Sequence, residues 1–273
     1  MPVHTTTIRG TGLFSAKPAS VEIVRAPQGT GIRFLTATDI VPATIAHLAP
    51  ARGPLGGRNS VLARGAARVE TVEHVLSALA GSGAWNADVR TQGDEIPILD
   101  GSASGFLVAA ESLAGSDVRP VRLTRICRVE DDRGAWIEAA PAGDIRYRFE
   151  LSYPAGSGVP DQNFEWKGDA NTYRREIAPA RTYCLEKEAL AMRSAGLFPH
   201  LTPKDMLVIA PDGSAIDNQL RFPDEPVRHK MLDLIGDLAL LGGPLIAAVT
   251  AHRSSHALTH ELCRRIAADT LRT

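Results

Sequence analysis

A chain of 273 residues, 44% hydrophobic and 22% charged, has room for one large or two medium globular domains and lacks the composition of a disordered protein. Lys and Arg number 30 against 31 Asp and Glu, a net charge of −1, so the strongly basic surface of a nucleic-acid binder is not expected. Cys127, Cys184 and Cys263 are far apart and odd in number, which argues against a disulfide framework, fits a reducing compartment and, with no CxxC pair, leaves any metal site to His and carboxylates.

The opening Met-Pro-Val-His-Thr has no basic stretch followed by an apolar one, so no signal peptide is expected. Alternation predicts strands over 21–24 and 31–34. In 71–80, Val72, Val75, Leu76 and Leu79 fall at i, i+3, i+4 and i+7, which predicts a helix stopped by Gly81. A short strand follows from Asn86 to Thr91, then a shorter helix over 105–113 with Phe106, Ala110 and Leu113 on one stripe, ended by Gly115. Strands are expected again at 136–138 and 147–151. Val227, Met231, Leu234, Leu238 and Leu241 line a helix over 225–241, with Asp224 as candidate N-cap, Pro226 in the first turn and Gly242-Gly243-Pro244 as the stop. A buried strand follows at 245–251, then a last helix from about Leu258 with Leu262 and Ile266 inward. The longest apolar run, Leu245 to Val249, falls far short of the ~20 residues a membrane helix needs. A cytoplasmic protein with no integral membrane segment is expected. The order helix, strand, helix occurs twice, each time after β-rich sequence. It predicts two α+β domains of similar topology, residues 1–117 and 121–273, divided between Ser116 and Pro120.

Three sets of residues could carry chemistry. Glu73-His74 lies in the first turn of the 71–80 helix; alone, such a pair reads equally as a cap or a surface ion pair. His229, Asp233 and Asp237, at i, i+4 and i+8, stack on one face of the 225–241 helix. An i, i+4 His and Asp can share one metal ion, and a surface ladder with Arg228 and Lys230 is the competing reading. His256 follows the buried strand, where it could donate a proton. His4, His47, His200, His252 and His260 sit in no such pattern and read as ordinary surface residues. Together the sets hold the parts of a mononuclear zinc hydrolase: two His and one Asp around the metal, a Glu to take a proton from water, and a further His to protonate the leaving group.

Thr71-Val72-Glu73-His74-Val75-Leu76-Ser77-Ala78-Leu79-Ala80-Gly81 resembles a motif of the UDP-3-O-acyl-N-acetylglucosamine deacetylases (LpxC), the zinc enzymes of lipid A synthesis. Glu95-Ile96-Pro97-Ile98-Leu99-Asp100-Gly101-Ser102-Ala103, Ala180-Arg181-Thr182, the stretch from Val227 to Leu238, and Ser255-His256-Ala257-Leu258 match further motifs in the family's order. The resemblance implies two α+β domains of like topology, each a mainly antiparallel sheet with two helices, with the active site between them. It implies a Zn2+ cofactor held by His74, His229 and Asp233, with Glu73 as general base, His256 as general acid and Asp237 orienting it. Thr182 matches the threonine near the reacting carbonyl, and Lys230 a substrate-contacting lysine. The substrate implied is a UDP-linked acyl amino sugar, and a monomer is expected. Two stretches depart from the family. Gly12-Leu13-Phe14-Ser15-Ala16 stands where Gly-Leu-His-Thr-Gly is usual, and 197–206, with Leu197 and Phe198 as candidate substrate contacts, replaces a glycine-rich segment of the acyl passage. No fused dehydratase domain is expected after the last motif. A zinc deacetylase of another N-acetylated sugar, or a non-catalytic nucleotide-sugar binder, are the other readings.

Overall fold

The computed structural model describes residues 6–51, 58–115 and 117–270, so His4 and Ser116 lie outside the described residues. The strands of the first part are β1 (Thr7–Thr11), β2 (Pro18–Arg25), β3 (Ile32–Leu35), β4 (Ile40–Pro42), β5 (Val61–Arg64), β6 (Ala67–Glu70) and β7 (Ala87–Gln92). Those of the second are β8 (Val121–Arg122), β9 (Cys127–Glu130), β10 (Trp136–Pro141), β11 (Arg146–Leu151), β12 (Gln162–Trp166), β13 (Tyr183–Leu185), β14 (Leu207–Ile209) and β15 (Leu245–His252). β15 alternates buried and half-buried residues along its whole length, as a strand with one face on a core does.

The repeat read from element order extends to strand order and direction. One sheet runs β1-β2-β7-β3-β4 and the other β9-β10-β15-β11-β12, with β8 added beside β15. The central strand of each, β7 or β15, pairs antiparallel with β2 or β10 and parallel with β3 or β11. The outer pairs are antiparallel. Each sheet is therefore mixed, mainly antiparallel with a parallel pair at its centre. The parallel pair exists because a helix separates its strands, and a crossover of that length brings the chain back in the same direction. β5–β6 forms a separate hairpin, and β13 and β14 pair in parallel as a two-stranded insertion.

The helices are α1 (Glu73–Gly81), α2 (Ser104–Glu111), α3 (Ala170–Thr172), α4 (Glu186–Ser194), α5 (Glu225–Leu238) and α6 (His256–Thr270). α3 continues into a π turn over Tyr173–Ile177. α5 runs on as a 3-10 turn, Ala239–Leu241, and stops at Gly242, whose φ is +81°. Asp224 does not cap α5 with its side chain; it accepts from Arg228 Nε at 2.6 Å instead. α6 starts two residues earlier than expected. Val72, Val75, Leu76 and Leu79 are all fully buried, but so are Glu73, His74 and Ser77 to within a few per cent. The apolar stripe understated this burial because α2 and α5 flank α1.

The contact of α1 with α5 is set by a glycine. A Cβ at Gly236 would lie 2.1 Å from the carbonyl oxygen of Glu73, so only glycine lets the two backbones come this close. That approach brings the N-terminal turn of α1 against the last turn of α5.

Candidate active site

Three helices converge at the α1–α5 contact. α1 brings Glu73 and His74 in its first turn, α5 brings His229, Asp233 and Asp237 at successive turns, and α6 opens with His256. Thr71, just before α1, is held at φ +59°. Its hydroxyl accepts from Asn59 Nδ2 and donates to Glu95 Oε1, both at 3.1 Å. Those bonds fix the turn that aims Glu73 and His74.

His74, His229 and Asp233 each present one ligand atom, all within 4.8 Å of one another. His229 Nε2 lies 3.4 Å and His74 Nε2 3.7 Å from Asp233 Oδ1. Burial lowers the His74 imidazole to about 3, with the neighbouring His229 adding to the effect, and burial also lowers His229. Both rings are neutral at ordinary pH. His229 Nδ1 donates to Ala180 O at 3.1 Å, so the Nε2 of that neutral ring carries a bare lone pair. A lone pair aimed at a carboxylate oxygen is repulsive unless a cation lies between them. Asp233 stays ionised: burial opposes its charge, but the charged Lys230 and His256 beside it help hold its carboxyl below the usual range. His74 Nδ1 is buried with no partner among the described residues. Two neutral imidazoles and a carboxylate are the deprotonated donor set that a metal requires, and nitrogen with oxygen donors suits zinc better than magnesium. The residues fit the ion.

A second buried set lies beside it. Asp237 Oδ2 accepts from His256 Nδ1 at 2.7 Å, and its Oδ1 accepts from Ser60 Oγ at 2.6 Å. Burial alone would lower His256, but the charge and hydrogen bond of Asp237 outweigh it and push the ring up to about 9. His256 is thus a cation at neutral pH, with Nε2 3.9 Å from Asp233 Oδ2. Glu73 Oε2 accepts from the Ser60 backbone N–H at 3.0 Å. Burial pushes its carboxyl up to about 8, partly countered by His256. His260 is not an ordinary surface residue: it is buried, with Nε2 2.8 Å from Ser60 Oγ and 3.3 Å from Asp237 Oδ1. His256 and His260 are four apart on one helix, the spacing that picked out α5, so the pattern was there to be read. His47 and His252 are half-buried, and His200 is exposed.

A cavity of about 520 Å³ opens onto these groups. Thr182 and Lys230 line it, as do Leu197 and Phe198. Thr182 is placed by its backbone N–H, which donates to Gly101 O at 2.8 Å. Lys230 Nζ donates to Asp233 Oδ2 at 2.8 Å. Arg228, the other candidate partner in a surface ladder, instead pairs with Asp224 and Glu176. The rest of the cavity wall is mainly apolar, with Leu13, Leu190, Met192, Leu201 and Met206 joining Leu197 and Phe198, while Arg58, Glu186, Glu188 and Arg193 also line it. β13, α4 and β14 supply much of this wall, and sequence periodicity did not reveal α4. Phe14 and Phe198 pack with ring centroids 5.7 Å apart. The two segments that depart from the family pattern therefore meet in space.

The sequence profile described as LpxC, UDP-3-O-acyl N-acetylglycosamine deacetylase, matches residues 3–268. The chain is 37% identical over 268 residues to the UDP-3-O-acyl-N-acetylglucosamine deacetylase of Anaeromyxobacter sp. (strain Fw109-5), spanning 95% of this chain and 85% of that protein. It is 33% identical over 272 residues to the protein of that name from Brucella melitensis, spanning 96% and 93%. The relative of the same name in Chlamydia felis is 33% identical over 264 residues, spanning 94% and 92%. This chain belongs to the LpxC family. LpxC deacetylases are zinc-dependent amidohydrolases of lipid A biosynthesis, and the first triad has the chemistry to hold such an ion. No helix among the described residues is long and apolar enough to cross a membrane.

Proposed function

We propose that this chain hydrolyses the N-acetyl group of UDP-3-O-acyl-N-acetylglucosamine and releases acetate, with His74, His229 and Asp233 as ligands of one zinc ion. The observation that carries the reading is the convergence of a deprotonated His/His/Asp donor set with a buried carboxyl group and a charged imidazole at a mainly apolar cavity. Zinc held there supplies Lewis acidity to the amide carbonyl and to the attacking water. Glu73, adjacent to the donor set, takes the proton of the water in its ionised form; burial favours the neutral acid, and the positive charge of zinc held beside it would favour the carboxylate. His256 gives its Nε2 proton to the departing amine, and Asp237 keeps it charged and oriented through Nδ1. The Thr182 hydroxyl, at the cavity wall, assists in holding the carbonyl oxygen as charge develops. Lys230 meets the substrate's polar part, and Leu197 and Phe198 the acyl chain. The two domains are residues 1–117 and 121–273, with the reaction in the cleft between them, in the cytoplasm.

The decisive comparison is acetate release from the UDP-linked acyl sugar and from its non-acylated parent. The acylated substrate is expected to be turned over far more efficiently; equal efficiency would leave the apolar wall without a role and favour another N-acetylated sugar. Glu73→Gln is expected to lower turnover by roughly 10²–10⁴ with zinc still bound. Loss of zinc in that variant would make Glu73 a ligand or a support, not the base.

A further inference from the structure

Ser60 sits between the two proton-transfer groups and belongs to neither. It is fully buried just before β5. Its backbone N–H donates to Glu73 Oε2 at 3.0 Å, and its Oγ lies 2.6 Å from Asp237 Oδ1 and 2.8 Å from His260 Nε2. Counting protons settles the directions. The hydroxyl has one proton, and an ionised Asp237 can only accept. Ser60 therefore donates to Asp237 and accepts from the Nε2–H of His260. Asp237 takes the Nδ1–H of His256 on its other oxygen, at 2.7 Å. One hydrogen-bonded chain runs by its shorter path from His260 through Ser60 to Asp237, where it meets His256; His260 Nε2 also lies 3.3 Å from the same Asp237 Oδ1, and the main chain of the serine holds Glu73.

The chain joins parts of the molecule that are far apart in sequence. Ser60 and Glu73 flank the β5–β6 hairpin, whereas Asp237 lies on α5 and His256 and His260 on α6. Neither Ser60 nor His260 is among the residues lining the cavity, and neither belongs to the His74, His229 and Asp233 set. Remove the hydroxyl and Asp237 Oδ1 loses its shortest donor, while the spacing of Glu73 from the Asp237–His256 pair is left to packing.

We propose that Ser60, with His260 behind it, is a positioning junction that holds the proton acceptor Glu73 and the proton-donating Asp237–His256 pair in register across the site. This rests on the deacetylase reading above for the reaction itself. Because the junction acts on proton transfer and touches no substrate, its loss lowers kcat and leaves KM alone.

The test measures kcat, KM and zinc content for the wild type, Ser60→Ala, His260→Leu, His260→Gln and the Ser60→Ala/His260→Leu double variant. Ser60→Ala is expected to lose about tenfold to a hundredfold in kcat, as outer partners of active-site groups do, with KM within about twofold and zinc unchanged. His260→Gln, which keeps an N–H near the Nε2 position, is expected to recover most of what His260→Leu loses. The double variant is expected to lose clearly less than the product of the two single losses, since His260 acts mainly through the serine and only by its longer 3.3 Å contact on Asp237 directly. A kcat within about twofold of wild type in Ser60→Ala, or losses that multiply in the double variant, would overturn the proposal. If Ser60→Ala does not fold, the His260→Leu and His260→Gln pair decides by the same criterion. If the wild type releases no acetate, the deacetylase reading fails, and the low-field proton resonance of His256 Nδ1–H decides separately. That resonance is expected to shift and to exchange faster with solvent in Ser60→Ala, and an unchanged resonance refutes the junction.

Discussion

Replacing Gly236 with alanine perturbs the contact on which the site depends. The added Cβ would sit 2.1 Å from the Glu73 carbonyl oxygen, 2.9 Å from its carbon and 3.2 Å from its Cα. All three are backbone atoms at the start of a buried helix, so no side-chain rotation relieves the clash. α1 and α5 must separate by about 1 Å to restore ordinary contact, and overpacking of this kind costs about 1–3 kcal/mol. For a chain of this size each kcal/mol moves Tm by about 2–4 °C, so calorimetry should show a fall of roughly 2–12 °C. The separation also draws His74 away from His229 and Asp233, and a misplacement of about 1 Å can cost ~10²-fold in rate. Calorimetry, zinc content and acetate release on the same preparation of Gly236→Ala test both consequences. A Tm within about 1 °C of wild type together with a full rate would refute the claim that this glycine sets the two halves of the site against each other.

Asp237→Asn removes the charge that holds His256 near 9 against the lowering effect of burial. The alkaline limb of kcat/KM should move from about 9 to below 7, and at pH 7.5 the protonated fraction should fall about fourfold or more. The same shift bears on stability. A folded pKa raised above the ordinary 6.5 contributes stability that is fully present below 6.5 and lost as pH rises through about 9. Wild type should therefore lose stability relative to Asp237→Asn across that window in thermal unfolding, and a constant difference contradicts the assignment. Phe198→Ala opens the wall where Phe14 and Phe198 meet and should shift the preferred acyl length; with buried CH₂ groups worth ~0.8 kcal/mol each, an unchanged chain-length profile in kcat/KM places the chain elsewhere. Ala16 is held at φ +54°, where the family pattern has glycine. Ala16→Gly should gain about 1 kcal/mol, read as a Tm rise of about 2–4 °C, and a lowered Tm would show that the turn is not strained.

The elements that set the site were largely legible in the sequence. α1 and α5 announce themselves because their inner residues recur at helical spacing and glycines stop them, and those same helices carry the metal-ligand candidates, His74 on α1 and the i, i+4 pair His229 and Asp233 on α5. α4 was hidden for the opposite reason. None of its residues is buried, so its sequence has no core-facing stripe, and its only local marks were Glu188, which accepts from the Leu185 backbone N–H, and Gly196 at φ +73° beyond its end. Ser60 carries no mark at all, because its role comes from residues 13 to 200 positions away. The closeness of Gly236 to Glu73 was equally invisible, since a glycine inside a helix reads only as a weak helix former. The sequence identifies donors, whereas which donors share a site is decided by packing between distant segments.

The most direct measurement is acetate release from UDP-3-O-acyl-N-acetylglucosamine by the purified chain in three states: as prepared, after chelation, and after zinc is added back. The account predicts that release stops on chelation and returns with about one equivalent of zinc per chain, and that His229→Ala, which lacks one of the three donors, regains little at that stoichiometry. Undiminished acetate release from fully metal-free protein would contradict it.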